Sequence, residues 1–210
     1  MMKKITFLLI ILIACTGFSQ EVFVNFGKNT TTYAYTNEKG QSNPNLREDS
    51  GLFYEIGYEH IFKKGHDLST LSYVVSLTLN EFNAEGGDNI NNYSWKTKYI
   101  GIKNALLFTF LNTSHDTFDA KILLGFTTST MVNGSQVLNN SVYNLKSNPE
   151  FKGVFVQPMA GIQTRYRITD EMMIGVGYTI SKAINLSNTT SEKLSFVTNQ
   201  IVFGLSFKIN

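Results

Sequence analysis

The sequence predicts an all-β protein, an eight-stranded antiparallel up-and-down transmembrane β-barrel with long loops at one end and short turns at the other. Three observations predict it. A leader of the export type opens the chain, apolar residues recur with a period of two through the remainder, and the connections between the alternating segments are by turns long and short.

The leader begins Met1-Met2-Lys3-Lys4, continues with an apolar run from Ile5 to Ala14, and ends in Cys15-Thr16-Gly17-Phe18-Ser19-Gln20. That order of charged, apolar and small residues is a secretory signal peptide. Its apolar run is about ten residues, half of the roughly twenty a helix needs to cross hydrocarbon. Residues 1–20 are therefore expected to be removed near Ser19 or Gln20, leaving 21–210 as one barrel domain. Leu12-Ile13-Ala14-Cys15 also fits a lipoprotein processing site, and both outcomes stay open. Cys15 is the only cysteine, so the mature chain forms no internal disulfide. Loss of Lys3 and Lys4 takes Lys+Arg from 18 to 16, equal to the 16 Asp+Glu. A neutral chain has no basic excess for nucleic acid.

The first segment, Val22 to Thr36, is hard to phase, because Val22, Val24 and Phe26 differ in parity from Tyr33 and Tyr35; a bulge or a short solvated upper half explains that. From Gly51 to Lys63, Leu52, Tyr54, Ile56, Tyr58, His60 and Phe62 alternate with Glu55, Gly57 and Glu59. Leu68 to Phe82 sets Leu71, Tyr73, Val75, Leu77 and Leu79 against mainly Ser, Thr and Asn. Ser94 to Leu111, Phe118 to Met131, Glu150 to Ile168, Glu171 to Ile184 and Leu194 to Ile209 repeat the theme. The connections Asn37 to Ser50, Asn83 to Tyr93, Val132 to Pro149 and Asn185 to Lys193 read as long, solvated, mobile loops, and those at Lys64 to Asp67, Asn112 to Thr117 and Thr169 to Asp170 as short turns.

Alternation alone does not separate water from lipid. The content of the less apolar face does: it is Gly, Ser, Thr, Asn and Gln, with few charges, which suits the crowded interior of a small barrel whose apolar side faces outward. Phe62, Phe110, Phe118, Tyr166 and Phe207 share the outward parity beside a short turn or the carboxyl end, as a membrane-interface aromatic girdle requires. At the loop end Tyr54 has that parity, whereas Phe82 and Trp95 do not. Glu55, Glu59, Lys103, Lys121, Arg165 and Arg167 fall on the inward parity. Buried charges need partners, so these six are expected to form a lumen network that plugs the barrel, the other reading being an ion or substrate path.

With the leader, the eight alternating segments, Leu52-Phe53-Tyr54-Glu55-Ile56-Gly57-Tyr58 and the ending Phe203-Gly204-Leu205-Ser206-Phe207-Lys208-Ile209-Asn210, the mature chain resembles the small bacterial outer-membrane β-barrels, the OmpX and OmpA transmembrane-domain type and the PorT-like family. The resemblance implies a Gram-negative outer-membrane location, contact with outer-membrane lipid and recognition of the last strand by the barrel assembly machinery. Phe207 matches the aromatic assembly signal in kind, though not at the last position. Some such barrels are lipid A acylhydrolases with a Ser, a His and an acidic residue facing the membrane. Here His60 has no serine nearby in its segment, and His66 and His115 fall in turns beside Asp67 and Asp116.

The expectation is thus a non-enzymatic, monomeric barrel, structural or surface-binding through its long loops, without cofactor or metal and with an unidentified surface ligand. Alternatives are a soluble lipocalin-like carrier, a lipid-modifying enzyme and a narrow solute channel. The chain lacks the Gly-x-Trp signature and carboxyl-terminal helix of lipocalins.

Overall fold

The computed structural model describes residues 20–42, 46–62, 70–87, 92–113, 117–139, 141–186 and 193–209. Leader residues 1–19, the turn expected at Lys64 to Asp67, His66 and His115 lie outside them, whereas Gln20 already begins the first strand. The strands are β1 (Gln20–Thr36), β2 (Leu46–Ile61), β3 (Thr70–Gly87), β4 (Asn92–Asn112), β5 (Phe118–Leu138), β6 (Ser141–Asn144), β7 (Val154–Arg167), β8 (Met172–Asn185) and β9 (Lys193–Ile209). Each long strand pairs antiparallel with its sequence neighbours, β5 passing over β6 to β7, and β1 closes on β9 from Gln20↔Ile209 to Thr36↔Lys193. Eight strands form the ring. The short β6 hangs from the upper end of β5, where β7 has not yet begun.

Period-two alternation makes the wall two-sided. On β3 the odd positions Leu71, Tyr73, Val75, Leu77 and Leu79 face out, while Ser72, Ser76, Thr78 and Asn80 are buried inside. The outward apolar run covers about the nine to eleven residues with which a tilted strand crosses hydrocarbon. Yet β3 is 18 residues long and β4 and β5 are 21 each. The strands continue past the apolar belt.

Beyond the belt the wall keeps its parity and exchanges its polarity. Outward Leu79 is followed by Glu81, Asn83 and Glu85, and inward Asn80 by Phe82 and Ala84. On β4, Lys96 and Lys98 face out while Trp95 and Tyr99 are buried. On β9, Leu194 and Phe196 are buried, and below them the outward side carries Ile201, Phe203 and Leu205. β1 obeys the same rule: Val24 and Phe26 face out below, and Tyr33 is buried inside above. Its pairing with β2 and β9 is unbroken from Gln20 to Thr31, so no bulge is needed to reconcile its two halves.

Bulges lie elsewhere. In the β4–β5 ladder the register shifts between Thr109 and Leu111, which leaves Phe110 and Leu111 both outward, and again between Lys98 and Tyr99, opposite Asn133 and Met131. Much of what reads as long loop is strand: 83–87 ends β3, 92–93 begins β4 and 132–138 ends β5. These stretches lost the apolar outward residues by which a membrane strand is recognised, because here the apolar side faces in.

Candidate functional site

Among the described residues buried side chains line the interior from one end to the other, and β1 serves as a ruler through it: Glu21, Phe23, Asn25, Asn29, Thr31 and Tyr33 are its successive buried side chains. At the short-turn end, Arg165 of β7 is the hub of a buried ion network. Its Nε donates to Asp119 Oδ1 at 3.0 Å and its Nη2 to Asp119 Oδ2 at 2.7 Å, a fork that matches the carboxylate. Its Nη1 reaches Glu21 Oε2 at 2.5 Å and Glu59 Oε2 at 3.2 Å. Glu59 is also held by Lys121 and by the Ser72 hydroxyl at 2.6 Å. One level further in, Glu55 receives Lys103 Nζ at 2.6 Å, Ser76 Oγ at 2.5 Å and Asn25 Nδ2 at 2.9 Å. Every acid in these clusters faces a base, as burial of charge demands.

The structure thus brings together Glu55 with Lys103, and Glu59 with Lys121 and Arg165. Arg167 lies two residues beyond Arg165 on the same inward parity, half-buried, its N–H donating to the Thr117 carbonyl at 2.8 Å. Glu21 and Asp119 were missed by sequence reasoning. Asp119 carried a usable signal, since it shares the parity of Lys121. Glu21 carried none, because it belongs to the strand whose phase was unsettled.

Beside the ion network, Phe23, Val74, Ala105, Leu107 and Leu123 form a small apolar cluster. The cavity between these and Glu59, Lys103 and Asn25 is about 20 Å³, room for one water. Higher up, amides span the lumen: Gln200 Nε2 donates to Asn29 Oδ1 at 2.7 Å, and Asn29 Nδ2 to Asn80 Oδ1 at 3.3 Å.

Above the amides lies an aromatic chamber. Phe196 packs on Phe82, Tyr33, Phe155 and Tyr99 with ring centroids 4.7, 5.0, 5.7 and 5.9 Å away, and Trp95 meets Tyr33 edge-on at 5.5 Å. The Tyr33 hydroxyl lies 3.0 Å from Thr97 Oγ1 and donates to the Phe82 carbonyl at 3.2 Å. The roof comes from the segment after β6, two 3-10 turns (Leu145–Ser147 and Pro149–Phe151) that bury Leu145 and Phe151 in the chamber. Asn185 Nδ2 fastens this roof to the Glu150 and Lys152 carbonyls at 3.0 and 2.9 Å. Phe82 and Trp95, on the wrong parity for a girdle, are therefore chamber residues.

On the outside, Phe62, Phe110, Tyr166 and Phe207 are exposed near the short-turn end, and Phe118, half-buried, pairs with Tyr166. His60 faces out with its ring edge-on to Phe62 at 5.2 Å. Among the described residues no group of three or more His, Cys, Asp or Glu is arranged to hold a metal ion.

A ring of eight antiparallel strands with a polar, plugged interior inside an apolar belt defines a small transmembrane β-barrel of the bacterial outer-membrane type. A solved structure shares that fold. The chain is similar to neisserial surface protein A, with a TM-score of 0.51 at 13% identity over 90% of this chain and 97% of the other. It is also similar to the outer-membrane protease OmpT from Escherichia coli (TM-score 0.49, 7% identity, 92% and 98% covered) and to the outer-membrane protein OprG from Pseudomonas aeruginosa (0.48, 9%, 92% and 97%). No family model matches the sequence, and no curated protein does.

Proposed function

We propose that the protein is a non-enzymatic surface barrel of a Gram-negative outer membrane, exported with a cleaved leader and inserted through its last strand by the barrel assembly machinery. In this reading it holds a rigid β-structured platform above the bilayer for a surface ligand. The observation that carries the proposal is the exchange of wall polarity above Leu79 on β3. Below it the barrel is dressed for lipid, and above it for water around an aromatic core. Such a platform is anchored by the membrane and kept stiff by its own packing, which lowers the cost of ordering a binding surface.

The filled lumen supports a role other than wide-pore transport: ion pairs, amides and rings occupy it in turn, and the cavity at the ion network has the size of one water. The outward position of His60 against Phe62 favours an interfacial role over acid-base work. Expression with and without the gene, followed by whole-cell protease shaving and lipid A mass spectra, tests the reading. Surface-exposed cleavage between β5 and β7 with unchanged lipid species is expected. Altered lipid A, or a chain found soluble in the periplasm, overturns it.

A further inference from the structure

The outer belt carries an amide near its middle; Asn199, another outward amide that accepts from a tyrosine hydroxyl, pairs with Thr30 above outward Lys28 and so lies near the upper edge. Asn104, half-buried, stands on the outward parity of β4 between Ile102 and Leu106, in a row with Ile100, Phe108 and Phe110 that is otherwise exposed. Lys98, the first outward charge above it, is six residues away, and Leu111 at the short-turn end is seven, so Asn104 sits near mid-belt. Its Oδ1 accepts from the Tyr73 hydroxyl at 2.5 Å, which fixes the orientation of the amide. Among the described residues no acceptor meets the Nδ2 hydrogens. An amide donor in hydrocarbon costs several kcal/mol without an acceptor, and acyl chains carry none at that depth.

Resting on the membrane reading above, we infer that the barrel self-associates through its β3–β4–β5 face, with Asn104 on the two-fold axis. A side-chain amide is self-complementary, since each copy offers one donor and a second carbonyl lone pair. Two copies related by a two-fold therefore satisfy each other with a reciprocal pair of N–H···O bonds, the isologous arrangement of a symmetric dimer. The flanking side chains Ile102, Leu106, Leu124 and Phe126 supply the apolar contact around it. This departs from the monomer the sequence suggests.

The test uses full-length protein in native outer membranes and in phospholipid vesicles. Leu106→Cys, beside Asn104 and leaving the amide in place, is expected to cross-link to a dimer with a short bifunctional thiol reagent, while Phe203→Cys, outward on β9 opposite β4 in the ring, is not. Asn104→Leu, labelled for energy transfer between copies, is expected to associate about tenfold more weakly than the wild type while remaining heat-modifiable on gels. Equal cross-linking at both positions, or wild-type association of Asn104→Leu, overturns the dimer. Loss of heat-modifiability in the wild type would instead overturn the membrane reading.

Discussion

Glu81 and Lys98 form an ion pair at 2.7 Å on the outside of the β3–β4 wall, and on the inner side, from the rungs that flank it, Phe82 packs tilted against Tyr99 at 5.4 Å between centroids. Two rungs below, the sides are reversed: Leu79 and Ile100 face out and Thr78 is buried. This pair marks the level at which one wall passes from lipid to water. Four predictions follow the wall downward and inward.

A depth scan across that level separates the two environments. Lys98→Ala is expected to change folded-state stability by less than about 1 kcal/mol, since an exposed pair contributes little. Ile102→Lys, on the same strand but within the belt, is expected to cost about 2–4 kcal/mol in urea titrations of vesicle-inserted protein. Equal costs would place both positions in one medium.

Arg165 compensates three carboxylates, Glu21, Glu59 and Asp119. Arg165→Met therefore leaves buried negative charge and is expected to destabilise by about 3–5 kcal/mol. In a double-mutant cycle Asp119→Asn should cost less in the Arg165→Met background than alone, because the carboxylate it removes has already lost its fork. Additive losses would show that the two do not interact.

The aromatic chamber is expected to behave as the core of a soluble domain. Phe196→Ala, which removes the ring shared by Phe82, Tyr33, Tyr99 and Phe155, should cost about 3–5 kcal/mol. Limited proteolysis reads it locally: cleavage above the belt accelerates while the belt stays protected.

Gly57 makes room for Phe23. A Cβ there would stand 2.5 Å from Phe23 Cζ and 2.4 Å from Ser76 Cβ, inside any ordinary contact. Gly57→Ala is expected to cost about 1–3 kcal/mol by overpacking. Phe23→Leu in the same chain should recover part of that loss, measured again by urea titration.

The barrel, its outward parity and all of its ion network but Glu21 and Asp119 were legible in the sequence because they rest on a local rule, alternation, that each strand states by itself. β3 states it over Leu71 to Leu79 without interruption. What was not legible required knowing where along the strand the solvent changes. Tyr33 and Tyr35 were read as out of phase, with a bulge and a short solvated upper half left as alternatives, and Phe82 and Trp95 as off the girdle parity. A change of parity and a change of medium look alike in one strand. They differ only when neighbouring strands are compared in register, and register is set by pairings such as Asn80↔Tyr99 and Thr31↔Thr198 that no single segment contains.

The central claim, that one wall carries two opposite polarities, is tested most directly by single-cysteine labelling at Ser76, Leu77, Phe82 and Asn83 of β3, read with a lipid-soluble and a water-soluble quencher. The structure predicts lipid quenching at Leu77 alone, aqueous quenching at Asn83 alone, and protection from both at Phe82 and Ser76. Lipid quenching at Asn83, or aqueous quenching at Leu77, would contradict it.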